Sequence, residues 1–274
     1  MNAAPRLDVQ AIGDEIFGVL GSGRQVRPFS ARVEGLDLVA AFRAAARVRE
    51  ARIARGERPV GRKIGFTNRT IWAEYDVWAP IWGDMYDRTV HELPVPPATA
   101  SLAGLAEPRI EPEIVFGIGR APMAGMDEAA LLGCIDWVAH GFEIVQSIYP
   151  GWKFAAADTV AAYGLHGALW IGPRHAVEPR RAEWLGTLSN FEIELACNGV
   201  VLERGHASNV LDGPLSALRH LVEGLALDAA QPPLAAGETV TTGTLTRAMP
   251  IAPGQTWRTT LRGVALPGNV ITFS

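Results

Sequence analysis

Arg109-Ile110-Glu111-Pro112-Glu113-Ile114-Val115-Phe116 sets two carboxylates at i, i+2 inside an otherwise apolar run that continues to Ile118. Alternate side chains of an extended chain share a face, so Glu111 and Glu113 project together, roughly 6–7 Å apart at the backbone. Two negative charges so placed call for a cation, and oxygen ligands on a rigid strand suit Mg²⁺ or Mn²⁺ better than zinc. Gly141-Phe142-Glu143-Ile144-Val145 offers a third lone carboxylate in an apolar run. From the residues alone, half-exposed strands with Arg109 neutralising its neighbours remain an equal alternative. Glu192 and Glu194 repeat the spacing, but Phe191, Ile193 and Leu195 alternate cleanly with them, which predicts a polar face meeting water.

Working outward, short apolar runs bounded by Gly and Pro recur from Val60 to Phe66, Phe142 to Ser147, Gly167 to Ile171 and Phe191 to Ala196. Asn198-Gly199 predicts a type I′ hairpin turn, because both central residues of that turn need positive φ. Helical spacing is confined to a few segments: Leu7 to Leu20, Leu36 to Arg55 with Gly56 beyond its end, Met126 to Val138, and Pro214 to Leu225. On the second of these, Arg43, Arg47, Glu50 and Arg52 are expected mostly on a solvated face. Strands without regularly intervening helices disfavour a doubly wound parallel sheet and predict an α+β roll. The expected division is a helical region over 1–57 and a strand-rich core over 58–274.

The 274 residues, 48% hydrophobic and 20% charged, can bury a sizeable core. Lys+Arg 25 against Asp+Glu 29 leaves a formal charge of −4, with no basic field for nucleic acid or an anionic membrane. The N-terminus lacks a secretory pattern, no run is long enough for a membrane span, and Cys134 and Cys197 form no paired motif. A soluble cytoplasmic protein is expected. No GxSxG, HExxH or GxxxxGK[ST] pattern is present, and the six histidines show no metal-ligand spacing.

Almost every basic residue is Arg; the lysines are Lys63, between glycines in a predicted strand, and Lys153, after Pro150-Gly151. Partial burial of Lys63 is expected to lower its pKa toward a range useful for proton transfer.

In this order and spacing the pieces resemble the 2-keto-4-pentenoate hydratase family of the fumarylacetoacetate hydrolase superfamily. The resemblance runs from Gly61-Arg62-Lys63-Ile64-Gly65-Phe66-Thr67 through Arg109 to Ile114, Glu143-Ile144-Val145, Trp152 and Asp158-Thr159, then Gly205-His206-Ala207-Ser208, Gly213-Pro214-Leu215 and Thr242-Gly243. It implies a helical N-terminal part before a mixed, mainly antiparallel β-roll core. It also implies Mg²⁺ or Mn²⁺ on Glu111, Glu113 and Glu143, with Lys63 in the active site. Lys153, Asp158, Thr242 and Gly243 become candidate substrate contacts.

The implied activity is lyase chemistry on a small 2-oxo acid, foremost hydration of a 2-keto-4-pentenoate-type substrate in aromatic catabolism. Decarboxylation of a 2-oxo diacid and acylpyruvate-type hydrolysis share the same site. A homo-oligomer, a hydratase or decarboxylase partner, and a non-catalytic subunit of such a complex are further implications. Two stretches depart from the family pattern. Glu74 to Met85 lacks the acid that family hydratases carry before the Asp-Met pair, leaving Asp76 or Asp84 as candidates to replace it. Ala161-Ala162-Tyr163 stands where acidic and amide side chains commonly follow the Asp-Thr pair.

Overall fold

The computed structural model describes residues 7–94 and 99–274; the first six residues, to which the secretory-pattern and helical-region expectations extend, lie outside the described residues. Two helices come first, α1 (Val9–Val19) and α2 (Leu38–Ala54). Asp8 and Asp37 cap them by accepting from free backbone N–H groups of the first turn, and Gly56, at φ 89°, follows the end of α2.

The strands are β1 (Pro59–Gly65), β2 (Ile81–Tyr86), β3 (Val90–Glu92), β4 (Thr99–Ala100), β5 (Arg109–Ile118), β6 (Ile135–Val145), β7 (His166–Ile171), β8 (His175–Ala176), β9 (Glu192–Cys197), β10 (Val200–His206), β11 (Thr239–Thr244), β12 (Met249–Pro250), β13 (Thr256–Arg262) and β14 (Val270–Phe273). Between them lie the helices α3 (Trp72–Tyr75), α4 (Glu128–Leu132), α5 (Ala156–Ala161), α6 (Arg181–Thr187) and α7 (Pro214–Ala226).

The main sheet runs β2-β1-β11-β5-β6-β7-β3, with β12 on β5 and β8 on β6; the second runs β10-β9-β13-β14-β4. Only β1/β11, β3/β7 and β14/β4 pair in parallel among the described residues, so the core is mixed and mainly antiparallel, as the α+β reading expects. Asn198 (φ 48°) and Gly199 (φ 84°) turn β9 into β10, giving the predicted hairpin.

Each face of the main sheet has its own task. Ile64, Ile114, Phe116, Val138 and Val240 point to the face covered by α7, whose Leu218 and Leu221 are fully buried there. Ile110, Phe142 and Ile144 extend that face onto Leu195, Trp257 and Phe273 of the second sheet. The opposite face carries Lys63, Glu111, Glu113 and Glu143 beside the small apolar cluster Val115, Ala139, Leu169 and Ile171. Helices α1 and α2 share a core with α5 and Ile81.

Two expectations are corrected. The predicted helix from Met126 to Val138 is only α4; from Ile135 the chain is already in β6, where burial on both faces of a long central strand outweighs local helical spacing. Arg52 is not solvated. It is 2% exposed, lies over the Tyr86 ring at 3.7 Å and binds Glu57 at 2.7 Å, while Arg55 also pairs with Glu57.

Candidate active site

The acidic site follows from register. In the antiparallel β5/β6 pair Glu111 is opposite Glu143 and Glu113 is opposite Gly141, so all three carboxylates share one face. Pro112, unable to donate to a ladder, sits where β11 shifts register; its carbonyl accepts from Leu245 N at 3.0 Å. The irregularity also turns Gly243 (φ 102°) so that its N–H donates to Glu113 Oε2 at 2.7 Å. A Cβ on Gly243 would come within 2.0 Å of Thr67 Oγ1.

One oxygen from each of Glu111, Glu113 and Glu143 lies within 4.8 Å of the others. Lys63 Nζ is 3.3 Å from Glu143 Oε2, and His166 Nδ1 is 2.8 Å from Glu143 Oε1. Glu113 Oε1 and Glu143 Oε2 are buried without a hydrogen-bond partner. Lys63 supplies a single positive charge against three carboxylates. Burial, aggravated by Glu143, holds Glu113 well above the ordinary carboxylate range; burial also lifts Glu111 to about 7, although Lys63 pulls it down. Glu143 stays below its ordinary value: burial acts to raise it, but Lys63 and His166 outweigh that. Buried carboxylates with orphaned oxygens, on hard-oxygen donors alone, fit a divalent cation such as Mg²⁺ or Mn²⁺.

The pKa expectation for Lys63 is corrected. Burial does act to lower it, but Glu143, Glu111 and Glu113 together prevail and raise it. With its pKa raised, Lys63 is an ammonium.

A cavity of about 500 Å³ opens over this cluster, lined by Lys63 and Glu111 and walled by Phe66, Tyr75, Trp152 and Phe154. Thr67, Asn68, Thr159 and Thr244 add polar atoms to the wall. Phe66, Trp152 and Leu165, all lining residues, hold φ of 53°, 58° and 62°. Left-handed backbone at bulky residues costs of order 1–3 kcal/mol each and gathers where a site is shaped by its surroundings.

The sequence-profile match to the fumarylacetoacetate hydrolase C-terminal family covers residues 88–271, which include the whole acidic cluster. The chain belongs to this family. It is 29% identical over 259 residues to 2-hydroxyhexa-2,4-dienoate hydratase of Comamonas testosteroni, covering 93% of this chain and 94% of that protein. It is 31% identical over 208 residues to 4-oxalocrotonate decarboxylase of a Pseudomonas species, covering 74% and 75%. The solved structure of 4-oxalocrotonate decarboxylase from Pseudomonas putida G7, complexed with magnesium and adipate, superposes with a TM-score of 0.87 at 24% identity over 97% of both chains.

Within this family fold the other candidate residues are dispersed. Asp84 pairs with Arg62 across β1/β2, on the face opposite Lys63, and binds Arg62 at 2.7 Å and Arg49 at 3.3 Å. The period-2 alternation that brings Lys63 to the cavity turns its sheet neighbour Asp84 away. Asp76 is exposed at φ 50° and does not line the cavity; Lys153 is likewise exposed, between the lining residues Trp152 and Phe154. Asp158 is buried and accepts from Ser30 N, Ser30 Oγ and Ala155 N, tying α5 to the segment after α1. Thr242 is buried with its hydroxyl donated to Ile114 O, so it braces β11 behind the wall. Glu192 and Glu194 lie on the outward side of β9, where Glu194 pairs with Arg204 and Arg262.

His166 is the site residue that sequence reasoning passed over. It is fully buried, which holds its pKa below the usual imidazole value. No spacing in the sequence links it to Glu143; the link is made by β6/β7 pairing, where His166 meets Val145 at a register shift. Arg109 also joins the cavity wall, two residues along β5 from Glu111 on the same face. Its guanidinium is 4.1 Å over the Trp152 ring, and no carboxylate among the described residues is within ion-pair reach.

Proposed function

We propose that the protein is a divalent-metal-dependent lyase for a small 2-oxo acid, and that its reaction is hydration of a 2-keto-4-pentenoate-type 2-hydroxydienoate in the breakdown of aromatic compounds. The observation that carries this reading is the convergence of Glu111, Glu113, Glu143 and Lys63 at one end of an apolar, aromatic-walled cavity. The hydratase at 29% identity over nearly the full chain supports the choice of reaction.

Glu111, Glu113 and Glu143 would hold Mg²⁺ or Mn²⁺. When bound, that ion supplies a Lewis acid for the substrate's 1-carboxylate and 2-oxo oxygens. Lys63 is the one lysine lining the cavity among the described residues, and it carries the proton that moves between the nitrogen and substrate carbon. The carboxylates that raise its pKa would lose that effect with a cation bound to them, which would make its proton mobile. Phe66, Tyr75, Trp152 and Phe154 hold the carbon chain flat and exclude bulk water. With Asp76 and Asp84 turned elsewhere, Thr67, Asn68, Thr159 and Thr244 are among the lining polar side chains that could hold an attacking water.

Arg109 favours a second reading, decarboxylation of a 2-oxo diacid. Its guanidinium, with no ion-pair partner among the described residues, lines the cavity two residues along β5 from Glu111, where it could take a second substrate carboxylate. We place the enzyme in the cytoplasm as a homo-oligomer, with a hydratase or decarboxylase partner as the alternative assembly; light scattering alone and after mixing with such a partner tests this. Among the described residues no helix is long and apolar enough to cross a membrane.

The deciding experiment supplies 2-hydroxypenta-2,4-dienoate and Mg²⁺ in ¹⁸O-labelled water. Label at C4 of a 4-hydroxy-2-oxo acid supports hydration. Release of CO₂ from a 2-oxo diacid, with no labelled product, moves the assignment to decarboxylase. Neither product across a panel of 2-oxo acids with metal bound overturns both.

A further inference from the structure

Glu143 differs from the other two acids in having a different side chain beside each oxygen, a hydrogen bond on Oε1 and only an ion-pair contact on Oε2. Oε1 meets His166 Nδ1 at 2.8 Å, and Oε2 meets Lys63 Nζ at 3.3 Å. Behind the imidazole, His166 Nε2 is 2.9 Å from Thr89 Oγ1, and Thr89 lies in the short turn between β2 and β3, held to Tyr86 N and O at 3.3 and 3.1 Å. Leu169, in the strand that carries His166, accepts no freedom for that turn either: its N–H donates to Thr89 O at 2.7 Å. Both ring nitrogens are thus engaged, and the ring cannot rotate without breaking two buried hydrogen bonds.

The proton count on this row has a direction. A carboxylate oxygen only accepts, so Nδ1 carries the proton donated to Glu143 Oε1. In a neutral ring Nε2 is then an acceptor, so the single Thr89 hydroxyl proton is directed to Nε2 at 2.9 Å rather than to Tyr86 O at 3.1 Å, while Oγ1 accepts from Tyr86 N–H. The row runs Tyr86 N–H to Thr89 O–H to His166 to Glu143, ending on one oxygen of one acid.

We infer that His166, aligned by Thr89, is a positioning residue that fixes the Glu143 carboxylate so that Oε1 is committed to the protein and Oε2 alone is presented to the cation and Lys63. This rests on the metal site of the proposed function. Glu113 is held comparably by Gly243 N–H on Oε2, which leaves Oε1. The two buried acids therefore each present a single free oxygen, and those two oxygens are the orphaned ones. Fixed single-oxygen ligands suit a cation of strict geometry such as Mg²⁺ or Mn²⁺ better than a flexible two-oxygen grip. Ligating groups oriented by such outer hydrogen bonds lose affinity when the orienting partner is removed.

The test measures Mn²⁺ binding by electron paramagnetic resonance of the free ion, with thermal unfolding alongside, for parent, His166→Leu, His166→Asn and Thr89→Val. An asparagine amide places an N–H near the Nδ1 position, whereas leucine fills the volume without a donor. Expected is a Mn²⁺ affinity weakened about 10- to 100-fold in His166→Leu, largely restored in His166→Asn, and weakened several-fold, roughly, in Thr89→Val at unchanged unfolding temperature. Parent-like affinity in His166→Leu overturns the inference, as does equal weakening in His166→Leu and His166→Asn, which assigns the effect to packing. Should His166→Leu fail to fold, parent-like affinity in Thr89→Val overturns it, and weakened affinity there supports it. A parent that binds no Mn²⁺ overturns the metal site itself, and is distinguished by that first measurement.

Discussion

Glu111 on β5 and Glu143 on β6 are direct cross-strand partners on the cavity face, in a pair of central strands otherwise filled with apolar side chains. Like charges directly opposite destabilise a sheet, and burial multiplies the cost. The arrangement is tolerable where Lys63 and a cation compensate it, and the predictions below follow from that.

Glu111→Gln, Glu113→Gln and Glu143→Gln should each weaken Mn²⁺ binding by about tenfold or more, since each removes one charged oxygen ligand. Glu192→Gln, which keeps the same i, i+2 context on the outward side of β9, should bind as the parent does. Calorimetric titration of the four variants checks this; a large loss in Glu192→Gln alone would place the site on the wrong strand.

Metal binding should release protons and weaken as pH falls. The ion takes the deprotonated acids, whereas burial lifts Glu111 to about 7 and holds Glu113 well above the ordinary carboxylate range. Below pH about 7 the proton therefore competes, and affinity drops as pH drops. Titration in buffers of different ionisation enthalpy reads the proton count, and a count of zero at pH 7 contradicts the assignment.

Lys63→Met should fold and keep Mn²⁺ binding, because an ammonium 3.3 Å from Glu143 repels a cation rather than helping to hold it. Turnover should fall on the order of 10²-fold or more if Lys63 carries the proton. Steady-state kinetics at saturating metal separates the effects; an unchanged kcat removes Lys63 from the chemistry.

Arg52→Ala should destabilise the fold by about 3–5 kcal/mol, because it strips one partner from a buried ion pair. Arg52 and Glu57 are 2% and 1% exposed at the side chain, and Arg52 also covers the Tyr86 ring. Denaturant unfolding measures it, and a change under about 1 kcal/mol would equate the pair with an exposed one.

Alternation and turn chemistry are local properties, and they carried far in this chain. The ten-residue strand Arg109–Ile118, the shared face of Glu111 and Glu113, the Asn198-Gly199 hairpin and the helices of the first 57 residues follow from side-chain period and from backbone torsions that few residues adopt. The third acid was legible as a lone carboxylate in an apolar run. Its meeting with the first two was decided by the β5/β6 register.

Other assignments depended on pairing alone. Asp84 and Lys63 lie on adjacent strands, and only the register of β1 on β2 turns one to the cavity and the other to Arg62. His166 reached Glu143 through β7, and Arg52 was buried by an acid five residues on and a tyrosine on a distant strand. Lys63 shows the physical reason most directly. Burial by itself lowers an ammonium pKa, and the sign reversed because the fold set three carboxylates around it. A sequence states which groups exist and their local periodicity. The energy of a buried charge is set by what the other strands bring within a few ångströms of it.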